Sequence, residues 1–112
     1  MVKLALPPGR GELVWISFSP QADHEQSGRR PALILSPRKY NSRIGLALMC
    51  PVTSKVKGYP FEVPLPESCL IDGVVLSDQI KSLDWHAREI ESIEFLPESF
   101  TNIVLGKLRT LL

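Results

Sequence analysis

The feature that most constrains this chain is a succession of short apolar runs, each stopped by proline, glycine or a polar cluster. Runs of roughly four to eight residues suit strands and are too short for most helices. Residues 12–18 alternate, with Leu13, Trp15 and Ser17 facing one way and Val14, Ile16 and Phe18 the other. Residues 31–35 form an apolar run that reads as a strand buried on both faces, and residues 45–52 are nearly continuously apolar. Residues 60–65 carry prolines that suit a sheet edge. Residues 73–76, residues 78–84 (with Ile80 and Leu83 inward) and residues 88–95 complete the expected strands, and residues 38–43 read as a turn or single helical turn. Only the last segment changes period. Residues 97–112 set Phe100, Ile103, Val104, Leu108 and Leu111 at helical spacing. Pro97 suits the first helical position, Glu98 the positive end, and Lys107 and Arg109 the negative end. The expected fold is mainly β with a C-terminal helix: a small, strongly curved, mostly antiparallel sheet or barrel with the helix packed on it.

A chain of 112 residues is enough for one core, so residues 1–112 are expected to form a single domain. Residues 1–10, with Pro7-Pro8-Gly9, read as a flexible or loosely docked arm. No apolar run approaches the ~20 residues of a membrane span, and the N-terminus has no apolar signal region, so no membrane association is expected. The two cysteines, Cys50 and Cys69, are too few for a disulfide scaffold, and Cys50 sits in an apolar run as a buried thiol would. A reduced, cytoplasmic protein is the expectation.

The net charge of +1 conceals an asymmetry. No Asp or Glu lies between Gln26 and Phe61, a stretch that holds Arg29, Arg30, Arg38, Lys39, Arg43, Lys55 and Lys57. From Glu62 to Glu98 nine acids face only Lys81 and Arg88. One basic and one acidic sector allow a local positive field toward a polyanion. The same charges could equally be scattered over a solvated surface.

The polar loop of residues 19–29 has little to pack with, and a loop that long in a small domain is often functional. It ends in Arg29-Arg30, where the apolar run of residues 31–35 begins, so Arg30 is expected at the seam between loop and strand. Metal-binding spacings such as Cys-x-x-Cys or His-x-x-x-His do not occur, and His24 and His86 lie far apart. Glycine-rich phosphate loops and nucleophile elbows are also missing. No metal or cofactor is expected. What remains is a set of groups at strand ends. Arg30 opens one strand, Thr53 follows the next, Glu25 and Gln26 precede Arg30, and Asp78, Gln79 and Lys81 follow residues 73–76. If the strands on either side of residues 37–44 are antiparallel neighbours, Arg30 and Thr53 meet at one end of the sheet.

A cation beside a hydroxyl, flanked by further cations, suits a phosphodiester. Arginine binds non-bridging oxygens bidentately and stabilises charge that builds in the transition state. With RNA, the substrate's own 2′-hydroxyl can be the nucleophile, so the protein need only position the bond, move a proton and hold charge. The structural alternative stays open at this point: Arg30 could bridge strands and Thr53 cap a turn.

Three stretches carry a resemblance to a known family. They are Gly11-Glu12-Leu13-Val14-Trp15-Ile16 with His24-Glu25-Gln26-Ser27-Gly28-Arg29-Arg30-Pro31-Ala32, then Cys50-Pro51-Val52-Thr53 with Lys57-Gly58-Tyr59-Pro60-Phe61-Glu62-Val63, then Asp72-Gly73-Val74-Val75-Leu76-Ser77-Asp78-Gln79-Ile80-Lys81-Ser82-Leu83-Asp84-Trp85. In this order and spacing the chain resembles the MazF (PemK/Kid) toxins of type II toxin–antitoxin systems. The resemblance implies an SH3-like β-barrel of the MazF/PemK/CcdB toxin type and a homodimer. It implies sequence-specific, metal-independent cleavage of single-stranded RNA, leaving a 2′,3′-cyclic phosphate and a 5′-hydroxyl. It maps the essential arginine onto Arg30, the essential threonine onto Thr53 and an activity-linked acid onto Glu25. It places Gln79 and its neighbours in an RNA groove, and implies a MazE-like antitoxin with an acidic flexible tail. Arg29 is a small departure, since a relative can differ there. Beside Gln26, Arg29, Lys55, Lys57, Asp78, Gln79 and Lys81 as substrate-binding candidates stand two other readings of the chain: a non-catalytic gyrase poison of the CcdB type and a plain SH3-like binding module. CcdB toxins end in Trp-Gly-Ile, whereas this chain ends Arg109-Thr110-Leu111-Leu112.

Overall fold

Burial of the alternating apolar residues organises a seven-stranded sheet and two helices in a computed structural model that describes residues 6–18 and 28–112. In chain order the elements are β1 (Glu12–Ser17), β2 (Arg29–Ile34), α1 (Arg38–Ile44), β3 (Leu46–Thr53), β4 (Glu62–Pro64), β5 (Val74–Leu76), β6 (Lys81–Asp84), β7 (Glu91–Phe95) and α2 (Glu98–Arg109). Neighbours run β4-β5-β3-β2-β1-β7, every pair antiparallel, and β6 also pairs with β3. β3 is the hub of the sheet. One edge takes β2, while the other is shared, with Leu46 to Met49 on β6 and Val52 and Thr53 on β5.

The expected mainly β fold with a C-terminal helix is what forms. The sheet is not a closed barrel, since β4 and β7, at its two ends, do not pair with each other among the described residues. β4 is an edge strand, as its one proline, Pro64, favours. Successive strand residues face opposite sides, so the sheet feeds two cores. Leu13, Leu33, Cys50, Val52, Val63 and Val75 pack with Phe100, Val104 and Leu108 of α2 on one side. Val14, Ile16, Ala32, Ile34, Ala47, Met49 and Trp85 pack on the other. The α2 face differs from the expected stripe: Phe100, Val104 and Leu108 are buried, but Ile103 and Leu111 are about half exposed, at 53% and 52%. A 3.6-residue period sets Ile103 off the line that meets the sheet, whereas Leu111 lies on that line but beyond the end of α2 at Arg109.

Several expected boundaries shift, and Thr53, expected just after its strand, is the last residue of β3. Arg29 and Arg30 lie inside β2, because β1 is long enough to pair with them as Ser17↔Arg29 and Ile16↔Arg30. The strand expected from residue 78 begins at Lys81, after a turn in which the Gln79 amide donates to the Leu76 carbonyl at 3.1 Å. The strand expected from residue 88 begins at Glu91.

The arm expected over residues 1–10 is also corrected where it is described, because Pro8 is fully buried and Gly9 is buried with it. Asn41 of α1 explains this docking. It is completely buried, and its amide donates to the Pro8 carbonyl at 2.8 Å and the Ser36 carbonyl at 3.0 Å. Its backbone carbonyl accepts from the Trp85 indole at 2.9 Å. A buried amide must find partners, and here the distant Pro8 and the nearby Ser36 supply them.

Candidate active site

The register of β2 on β3 brings the expected pair together. Ala32 pairs with Pro51, so two residues further Arg30 falls opposite Thr53 on the same face. Ile16 lies beyond Arg30 and Val74 beyond Thr53 in the same cross-strand row. Arg30 and Thr53 line two adjoining clefts of about 360 and 500 Å³. The smaller is lined also by Trp15, Pro31, Lys55, Ile71 and Asp72. The larger is walled by Lys55, Lys57, Tyr59, Glu62, Leu76 and Gln79.

Arg30 is exposed although its strand is rigid, so its guanidinium has a fixed origin and a solvated head. A guanidinium offers a fork of donors and no acceptor, which suits it to holding charge rather than shuttling a proton. The Thr53 Oγ1 accepts the Lys55 amide at 3.1 Å. The turn-capping contact and a role in chemistry are therefore compatible, because the hydroxyl proton remains free to donate into the cleft. Both carboxylate oxygens of Glu62 are engaged, one by the Lys57 amide and one by the Gly58 amide, each at 2.8 Å. The Tyr59 hydroxyl donates to Asp78 Oδ1 at 2.9 Å, and burial together with the Asp78 carboxylate pushes the phenol above its usual value.

Of the expected residues, Arg30, Thr53, Lys55, Lys57 and Gln79 line the clefts, and Asp78 joins them through Tyr59. Arg29 does not. Adjacent strand residues point oppositely, and its guanidinium donates instead to the Glu89 carbonyl at 2.8 Å and the Glu91 carboxylate at 3.2 Å. Lys81, on β6, pairs with Met49 of β3 and lines neither cleft. Glu25, Gln26 and His24 lie outside the described residues. Sequence reasoning gave no role to Tyr59, Glu62, Leu76 or Asp72. The available signal was an acid, Glu62, placed just after the basic, glycine-containing loop of residues 54–61.

Comparison with known proteins gives the family. Residues 9–112 match the model of the PemK-like, MazF-like toxin of type II toxin–antitoxin systems. The endoribonuclease toxin MazF of Escherichia coli K12 is 49% identical over 81 residues, covering 72% of each chain. The Escherichia coli endoribonuclease PemK is 39% identical over 107 residues, covering 92% of this chain and 80% of PemK. A crystal structure of MazF from Deinococcus radiodurans superposes with a TM-score of 0.84 at 54% identity, covering 93% of this chain and 94% of that one. A MazE–MazF complex from the same organism gives 0.82 at 48% identity, covering 93% of each chain. The chain belongs to the PemK-like, MazF-like toxin family of type II toxin–antitoxin systems.

Proposed function

We propose that this chain is the endoribonuclease toxin of such a system, cutting single-stranded RNA, typically mRNA, at specific sequences in the cytoplasm. The observation that carries the reading is that Arg30 and Thr53 together line the same two clefts, with Lys55 and Lys57 beside them. A phosphodiester seated there meets a bidentate cation and a hydroxyl donor, and the lysines hold the flanking phosphates. The substrate 2′-hydroxyl attacks the adjacent phosphorus, and the bond to the 5′-oxygen breaks. A 2′,3′-cyclic phosphate and a 5′-hydroxyl result. Arg30 stabilises the charge on the non-bridging oxygens, and Thr53 donates to the same oxygens. Glu25 is the candidate for proton transfer, and no resident metal is required. The relatives crystallised as MazE–MazF complexes support an antitoxin partner here, a MazE-like protein whose acidic tail crosses a toxin homodimer.

The test is an RNA carrying a single 2′-deoxy nucleotide before the cut, incubated with EDTA. All-RNA substrate should be cleaved to a cyclic phosphate, while the deoxy substrate should bind and stay whole. Cutting at the deoxy position would overturn the mechanism, and intact RNA with stalled gyrase would favour the poison reading.

A further inference from the structure

We propose that Glu62 is a positioning residue, whose carboxylate sets the basic loop of residues 54–61 over the cleft that holds Arg30 and Thr53. The inference rests on the endoribonuclease reading above. That loop carries two of the three cations lining the larger cleft, Lys55 and Lys57. Its side chains are largely solvent-exposed, so little apolar packing fixes it. Polar contacts fix it instead. At its start, the Lys55 amide donates to Thr53 Oγ1 at 3.1 Å. At its far end, the Glu62 carboxylate accepts the Lys57 and Gly58 amides, both at 2.8 Å. Between these points the Tyr59 hydroxyl reaches Asp78.

The geometry at residues 57 and 58 explains why an acid is needed. Gly58 has φ +86°, a turn conformation that suits glycine, and at this turn the successive Lys57 and Gly58 N–H groups converge on the Glu62 carboxylate. A carboxylate has an oxygen for each amide, whereas a glutamine side chain at this position could accept through only one atom. Glu62 is rooted in β4, which pairs with β5, which in turn pairs with Thr53 of β3. The loop is therefore referenced to the same strand that carries Thr53, and the lysines hold a constant distance from the reacting phosphate. Seen otherwise, an acid lining an RNA cleft would repel phosphate, but with both oxygens committed to amides it acts as part of the wall.

The test compares Glu62→Ala, Glu62→Gln and Gly58→Ala with the unaltered protein. Nothing lies within 4 Å of a Cβ at Gly58, so Gly58→Ala perturbs the loop through its backbone angle alone and removes no charge or contact group. Glu62→Ala should lower cleavage kcat/KM by roughly ten- to hundredfold, as misplacement of binding groups does. Most of the loss should fall in KM, with Glu62→Gln in between and Gly58→Ala resembling Glu62→Ala. The slope of log affinity against log salt should shrink by roughly 0.7 for each phosphate contact released. A purely structural role would lower Tm while leaving that slope and the low-temperature kcat/KM unchanged, and this result would overturn the proposal. Hydrogen exchange separates this failure from failure of the endoribonuclease reading. The amides of Lys57 and Gly58 should lose protection in Glu62→Ala whether or not the protein cuts RNA. Retained protection would reject the clamp by itself.

Discussion

Arg30 and Arg29 are neighbours in sequence with opposite fates, and the difference shows how far one residue's surroundings decide its chemistry. The pleat turns Arg29 toward Glu91, where it is held by an exposed ion pair of little energetic weight. It turns Arg30 to the clefts beside Thr53. Arg30→Ala should leave folding nearly intact and lower RNA cleavage by about 10²–10³, the usual cost of removing one charge-stabilising donor. Arg30→Lys should restore only part of this, because an ammonium lacks the bidentate fork. Thr53→Ser should keep much of the activity that Thr53→Ala loses, as single-turnover cleavage would show. Cys50 gives a second prediction at this scale. Burial, with the Asp78 charge adding to it, pushes its thiol up to about 12 from 9.0. A raised folded-state pKa means that the native protein keeps the proton while the unfolded chain loses it. Stability tied to Cys50 is therefore fully present below about pH 9 and is lost as pH rises toward 12. Denaturant titrations should show a smaller alkaline loss in Cys50→Ala, and native Cys50 should resist alkylation at neutral pH.

Among the elements, β3 carries the most because three strands and Thr53 depend on it. Its contact with the segment entering β5 is close. At Gly73, φ is +141° and a Cβ would come within 2.7 Å of the Thr53 carbonyl oxygen. That oxygen is backbone and has no rotamer to retreat into. Gly73→Ala should destabilise by about 1–3 kcal/mol, the range for local backbone strain. It should also reduce cleavage more than a remote change of equal stability cost, since it displaces Thr53; a Tm series paired with cleavage rates will show this. Asn41 in α1 is a buried anchor that lines neither cleft. Asn41→Ala would strip the Pro8 carbonyl and Ser36 of their partner, at a cost of about 1–3 kcal/mol per buried group left unsatisfied. Thermal unfolding should register the loss, while cleavage well below Tm should persist.

For the whole molecule, size and charge set the expectations. A small domain leaves apolar side chains uncovered, here including Leu70, Ile103, Leu111 and Leu112. A twofold dimer is the usual solution. Sedimentation at micromolar concentration should give about twice 12.5 kDa, and a monomer that still cuts RNA would reject the dimer. The loop lysines and Arg30 should also receive the acidic tail of the antitoxin, in competition with RNA. Its affinity should fall as salt rises, because exposed charges are screened over ~8–10 Å. A tail mapping instead to the acid-rich surface would count against this placement.

The sequence by itself determined most of the elements and the expectation that Arg30 and Thr53 lie at one end of the sheet. Alternation in residues 12–18 specified two faces, the prolines of residues 60–65 specified an edge, and a short connection between two apolar runs specified antiparallel neighbours. Each is a local signal whose physics acts within a few residues. The tertiary structure decided what depends on distant partners. It extended β2 back to Arg29 because β1 was there to pair with it. It docked Pro8 because Asn41 needed an acceptor, and left Ile103 exposed because the sheet reaches only one side of α2. It turned Arg29 from RNA ligand to ion-pair partner, and made Glu62 the support of the lysine loop. A composition or a spacing records which groups are available. Which of them meet is fixed by register and by closure of loops across the sheet, where one residue of slip sends a side chain to the other face.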